Sequence, residues 1–243
     1  LAWHGDRVVV DDLRLATAIA TLRVRGQLRT SAGYPLELVF EAGLTPEDTA
    51  GFVGSGSVRG PLTALDCVLT TTAPFTSRLQ GRLFDLLNTA RWEASVTGDR
   101  VALAAIVPTW PDQVFTGVQI RGSGSFTDYA LVVQGRMTTV GIDRPVDLSG
   151  LLQGNPDGLQ VDDLRLGQDR AQVALQGRLD WAPHFAWEAD IEASHLDPSL
   201  VLADWPGDFH FRLHTGGRLR DQLEATVALH ELEGRLRGLA LGG

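Results

Sequence analysis

Apolar and polar residues alternate along most of this 243-residue chain. Leu22 and Val24 alternate with Arg23 and Arg25, and Leu36, Leu38 and Phe40 with Glu37 and Glu41. Farther on, Phe185, Trp187, Ala189 and Ile191 alternate with Glu188, Asp190 and Glu192, and Phe209, Phe211 and Leu213 with His210 and Arg212. A period of two is that of a β-strand, whose successive side chains point to opposite faces. One apolar and one polar face predict an antiparallel sheet buried or covered on a single side. Trp92, Ala94 and Val96, followed across Gly98-Asp99 by Val101, Leu103 and Ala105, predict a hairpin. Gly54-Ser55-Gly56-Ser57 and Gly122-Ser123-Gly124-Ser125 read as turns. Helical signals are few: Leu196–Leu202 predicts one short turn, with Asp197 as N-cap and Pro198 at the first helical position.

The pattern repeats. A Gly-Arg/Gln-Leu/Met triplet begins at Gly26, Gly81, Gly135, Gly177, Gly217 and Gly234, toward the end of alternating segments. The string Val-Asp-Asp-Leu-Arg-Leu occurs at Val10–Leu15 and again at Val161–Leu166. The shift that aligns the two copies also brings Ala20, Val24, Gly26, Leu28, Tyr34 and Phe40 onto Ala171, Leu175, Gly177, Leu179, Phe185 and Ile191. Internal repetition of strand units predicts one repetitive array over 1–243, in loose repeats of about 1–60, 61–150 and 151–243. Glycine without a Cβ permits a bend or close backbone approach, so its recurrence predicts a sheet curved along its length.

Composition narrows the function classes. Apolar residues make up 44% of the chain and charged residues 21%, enough to bury apolar surface and too many for intrinsic disorder. No run approaches the roughly 18 apolar residues of a membrane-spanning helix. There is no basic segment followed by an apolar one at the start, and the first residue is Leu1, so the reading is a soluble fragment of a longer protein. The net charge is −9, every basic residue is arginine, and the arginines are spread out; nucleic acid is therefore not the expected partner. Without lysine there is no Walker-type phosphate loop and no Schiff-base chemistry. The single cysteine, Cys67, forms no internal disulfide and reads as a small apolar residue on a strand face.

Candidate chemistry is sparse. His210 and His214 share a strand face, but four residues at about 3.3 Å each separate them too widely for one metal ion. Asp11-Asp12 and Asp162-Asp163 are adjacent carboxylates that alternate faces on a strand, and they read as turn or strand-edge residues. No nucleophile, base and orienting group assemble, so no enzyme, no cofactor and no metal are expected. Of the tryptophans, Trp92 and Trp187 fall on the apolar parity, whereas Trp3, Trp110, Trp181 and Trp205 carry no assigned role.

The C-terminal third carries a family likeness. Leu196-Asp197-Pro198, then Asp204-Trp205-Pro206-Gly207 opening an alternating strand, then Gly216-Gly217-Arg218-Leu219, then Leu232-Glu233-Gly234-Arg235-Leu236-Arg237-Gly238-Leu239 together resemble the TamB (translocation and assembly module) branch of the AsmA-like proteins. Weaker copies in Val10–Leu44 and Gly122–Met137 extend the likeness, and Pro61–Trp110 matches in strand pattern alone. The resemblance implies an all-β fold: an elongated, curved antiparallel or mixed sheet, folded lengthwise into an open half-pipe (a β-taco) with an apolar groove and few helical turns. It implies a periplasmic segment of an inner-membrane-anchored Gram-negative protein that carries phospholipid acyl chains between the inner and outer membranes. An Omp85-type, TamA-like outer-membrane barrel would be met through parts outside this chain. The parity then assigns the groove lining to Leu36, Leu38, Phe40, Trp92, Val96, Leu131, Val133, Val173, Leu175, Trp187, Ile191, Phe209, Phe211, Val227 and Leu229. Two other readings stand beside it. One is a module that assists outer-membrane protein assembly by β-strand augmentation; the other is a closed β-sandwich in which apolar faces pack on each other. Exposed strand edges also predict edge-to-edge self-association.

Overall fold

Strand-forming alternation becomes strand along almost every stretch of the computed structural model, which describes residues 2–45, 51–106, 113–139, 144–197, 206–219 and 222–242. The chain divides into two units, Leu1–Phe126 and Thr127–Gly243. The first contains β1 (Ala2–His4), β2 (Arg7–Ala16), β3 (Ala20–Arg29), β4 (Leu36–Leu44), β5 (Phe52–Gly60), β6 (Ala64–Ala73), β7 (Ser77–Phe84), β8 (Arg91–Ala102) and β9 (Gln113–Ser125). The second contains β10 (Tyr129–Thr139), β11 (Val146–Asn155), β12 (Gly158–Gln168), β13 (Ala171–Asp180), β14 (Phe185–Leu196), β15 (Gly207–Leu219), β16 (Leu223–Leu236) and β17 (Leu239–Gly242). Within each unit, consecutive strands pair antiparallel, in a plain meander. The expected all-β architecture is therefore what the structure shows, and each unit is an open sheet consistent with a half-pipe. The described helical content is one 3₁₀ turn at Leu103–Ala105. No described helix is long and apolar enough to cross a membrane.

Three local expectations are corrected. The Gly98-Asp99 hairpin does not form: β8 runs straight through both residues and stays paired with β9 on either side, at Gly98↔Val118 and Arg100↔Thr116. The Gly-Ser stretches are strand, not turn, because their glycines alternate like any other strand residue and fall on the apolar face in β5 and β9. Asp11-Asp12 and Asp162-Asp163 are neither turns nor strand edges. They sit inside β2 and β12 at bulges, between the pairs Val10↔Gly26 and Leu13↔Val24 and between Val161↔Gly177 and Leu164↔Leu175. Two residues there oppose one on the next strand, so the flanking apolar residues return to the same face. The repeated string is thus a repeated bulge. Of the expected turn at Leu196–Leu202, Leu196 ends β14 and the Asp197 carboxylate accepts a hydrogen bond from the Gly207 N–H at 3.0 Å, while residues 198–202 lie outside the described residues.

The six repeated glycines lie inside the last half of their strands, all on the apolar face. At Gly26 and Gly177, equivalent in the repeat, a Cβ would run into the backbone carbonyl of Glu37 or Glu188 on the next strand. Close approach of neighbouring backbone is what requires glycine at these two positions.

Candidate functional site

Directly opposed residues in an antiparallel pair share a face, so the registers can be followed across each sheet. In the first unit one row runs Leu13, Val24, Phe40, Gly56, Leu69, Leu79, Val96, Ile120, a residue from every strand from β2 to β9. In the second unit the row is Val133, Gly150, Leu164, Leu175, Ile191, Leu213, Leu229, from β10 to β16. Leu13, Val24 and Phe40 are the repeat equivalents of Leu164, Leu175 and Ile191. Parallel rows hold Leu36, Leu38 and Trp92 in the first unit and Leu131, Val173, Trp187, Phe209, Phe211 and Val227 in the second. The five groove candidates of the first unit thus share one apolar face, and so do the ten of the second.

Five aromatic residues on this face sit opposite glycine. Phe40 opposes Gly56, Trp92 opposes Gly124, Tyr129 opposes Gly154, Trp187 opposes Gly217 and Phe209 opposes Gly234. A Cβ on Gly56 would come within 2.6 Å of Phe40 Cζ, and one on Gly154 or Gly217 would enter the Tyr129 or Trp187 ring. The Phe40, Tyr129 and Trp187 rings therefore lie over the neighbouring strand, which keeps their bulk close to the sheet. Three indoles on this face are anchored: Trp3 Nε1 donates to the Gly5 carbonyl at 2.8 Å, Trp92 Nε1 to the Ser125 carbonyl at 2.9 Å, and Trp187 Nε1 to Thr215 Oγ1 at 3.4 Å.

Few residues on this face are closed off from solvent. Among the described residues the buried hydrophobics are Leu65 and Ala193, each 2% exposed. The remaining candidates are half-buried, with two exceptions on β16: Val227 is 67% exposed and Leu229 55%. Their exposure has a local cause, since β17 pairs only with Glu233–Leu236 and leaves the first half of β16 without that neighbour. Cys67 lies on the apolar face between Val58 and Gly81, where burial pushes its thiol up.

The opposite face is ionic. Asp12, on the first bulge, receives Arg23 at 2.6 Å and Arg14 at 2.7 Å, with Arg25 at 3.6 Å. Hydrogen bonds from Arg23 and then Arg14 hold its carboxyl well below the usual carboxylate range, and Asp12 in turn raises the Arg23 guanidinium. At the second bulge, Asp162 accepts from Gln153 at 2.7 Å and Asp163 pairs with Arg165 at 3.0 Å. Open hollows lie among such charges, one of about 430 Å³ beside Arg23, Arg25, Glu41 and Arg59, another of about 500 Å³ beside Asp190, Glu192, Arg212 and Glu231. Charged side chains line both, together with row residues such as Phe40 and Ile191.

Sequence reasoning considered His210 with His214. The structure instead sets His210 beside His195 and Asp208, and turns His214 to Asp190 at 2.9 Å. Strand spacing could not reveal the His195–His210 approach, because it depends on register between two strands. Trp110 and Trp205 lie outside the described residues.

Compared with known families, the chain matches the one described as TamB, N-terminal domain, over residues 1–242. A search of curated proteins gave no match, and a search of solved structures gave none.

Proposed function

We infer the role of this protein from the premise that the chain belongs to the TamB family. That family is a non-enzymatic module of the Gram-negative envelope, associated with TamA in the translocation and assembly module. We propose that this chain is a periplasmic segment of a conduit and that the apolar face of each unit holds phospholipid acyl chains on their way between the two membranes. The observation that carries the reading is the unbroken, half-open apolar row. Eight strands at about 4.8 Å spacing make the first row roughly 34 Å long. One acyl chain reaches through about half of a hydrocarbon core roughly 30 Å thick, so a single unit is long enough to accommodate one. Each methylene moved from water onto the row contributes about 0.8 kcal/mol, while charged headgroups remain in water at the rim. An open apolar face of this extent is a binding surface by the ordinary logic of exposed patches.

The test is to purify the chain under mild conditions, extract it with organic solvent and quantify phospholipid by mass spectrometry. Near-stoichiometric phospholipid is expected in the wild type, with loss in Leu131→Arg/Phe211→Arg while circular dichroism keeps its strand signature. A well-folded, lipid-free wild type refutes the conduit and favours peptide strand addition. Unfolding of the double variant, with lipid absent from both proteins, points to a closed core.

A further inference from the structure

β14 carries a bulge near its end. Ala193 opposes Phe211 and Leu196 opposes Phe209, so Ser194 and His195 together face the single residue His210 on β15. His195 has φ +52°, the left-handed region that non-glycine residues occupy in only a few per cent of cases. In that conformation its ring meets those of β15. His195 Nδ1 is 3.2 Å from both carboxylate oxygens of Asp208. Asp208 Oδ1 is also 3.6 Å from His210 Nε2, and the two imidazoles stand 4.6 Å apart between centroids at 73°. One ligand atom from each of the three residues lies within 4.8 Å of the others.

These separations suit a metal ion. With zinc–nitrogen and zinc–oxygen bonds of about 2.0–2.1 Å, two ligand atoms of a tetrahedron sit about 3.3 Å apart. The two edges to Asp208, 3.2 and 3.6 Å, lie on either side of that value, and the His195–His210 edge is within 4.8 Å. Asp208 and His210 alternate on one strand and so share a face, and the bulge supplies His195 from the next. Side-chain exposures of 47%, 55% and 45% for His195, Asp208 and His210 leave room for water to complete the coordination. On β16, Glu233 opposes His210 and Arg235 opposes Asp208, so the neighbouring charges offset each other.

We propose that His195, Asp208 and His210 form a surface site for a divalent transition-metal ion of the zinc type. Two imidazoles and one carboxylate are the donor set that zinc, cobalt, nickel and copper prefer over magnesium or calcium. Bound there, the ion ties β14 to β15 at the bulge and stabilises the second unit by mass action. The site lies on the polar face and does not depend on the lipid reading.

The experiment titrates the full 243-residue chain with zinc chloride in a non-chelating buffer at pH 7.5, by calorimetry. One saturable equivalent is expected. Cobalt(II) at the same site should give the intense visible bands of a four-coordinate ion. His195→Ala and His210→Gln should each weaken zinc binding by at least about tenfold, the scale on which perturbing a metal site is felt. His184→Ala and His230→Ala should bind as wild type does. Wild-type protein with no saturable equivalent and no four-coordinate cobalt spectrum overturns the proposal, whatever the variants do. Equal affinity in wild type and in a folded His195→Ala/His210→Gln variant overturns it as well, leaving a hydrogen-bonded His–Asp–His cluster.

Discussion

Adjacent glycines in β15 allow the packing of the apolar face to be tested against an internal control. Gly217 lies on that face, opposite Trp187 and Ala225; Gly216 lies on the polar face, opposite Glu188 and Thr226. A Cβ on Gly217 would enter the Trp187 indole and come within 2.6 Å of the Glu224 carbonyl oxygen. On Gly216 the nearest described contact would be the Trp187 carbonyl oxygen at 3.5 Å, an ordinary separation. Gly217→Ala must therefore lift the indole, and with it goes the hydrogen bond to Thr215. Overpacking of this kind costs about 1–3 kcal/mol, and a lost hydrogen bond about 0.5–1.5 kcal/mol more. Gly216→Ala meets no such obstacle and restricts the unfolded chain, so it should be neutral or stabilising by about 0.4–1 kcal/mol. Urea unfolding followed by tryptophan fluorescence and circular dichroism measures both. Each kcal/mol moves a thermal midpoint by about 2–4 °C in a chain of this size, well within calorimetric resolution. Gly217→Ala should also change the native fluorescence, and Gly216→Ala should not. Equal stabilities for the two variants, or a Gly217→Ala protein as stable as wild type, would refute the account of ring against glycine.

Two further outcomes follow from the charged and the thiol groups. Asp12 has a folded-state carboxyl depressed by Arg23 and Arg14, so it stabilises the fold above its unfolded value of about 3.9, and that contribution disappears as pH falls below about 4 toward the folded value. Asp12→Asn should therefore lose less stability than wild type over that acid window, with the difference narrowing in high salt; parallel acid profiles would remove Asp12 from the stabilising set. Cys67, whose thiol is pushed up by burial, should react with a disulfide reagent at pH 8 more slowly in the native chain than in urea, and equal rates would mean that the apolar face does not shield it.

Face assignment was legible in the sequence because the period of a strand is two: Leu36, Leu38 and Phe40, or Phe209 and Phe211, declare their shared face without reference to any other strand. What crosses between strands was not legible. Gly54-Ser55-Gly56-Ser57 has the composition of a turn, and the neighbouring strands explain why glycine belongs inside β5: the Val68 carbonyl and Phe40 ring crowd Gly56, and the Thr70 carbonyl crowds Gly54. Asp11-Asp12 looked like two residues on opposite faces because strict alternation assumes no bulge; the bulge restores Leu13 to the face of Val10. His195 and His210 are brought together by the bulge in β14 and a left-handed backbone, neither of which leaves a mark in local spacing. The repeat did carry one such signal. Two copies of Val-Asp-Asp-Leu-Arg-Leu produce two bulges at equivalent registers, so recurrence of a polar pair inside an alternating segment was the clue to its geometry.

The pattern of burial separates an open face from a closed one on energetic grounds. In a sandwich, Phe40, Leu175 and Ile191 would be core residues and each would contribute the full 1.5–3 kcal/mol or so of a buried large side chain. Here they are half-buried, and among the described apolar side chains full burial is reached at Leu65 and Ala193. Folding thus removes only part of the apolar row from water, and the backbone ladder between consecutive strands has to supply more of the cohesion than in a sandwich. The surface left wet runs along each row and is largest toward its end strands, where Leu13 is 44% and Leu229 55% exposed. On the acyl-chain proposal, such a face suits an extended hydrocarbon over a compact molecule.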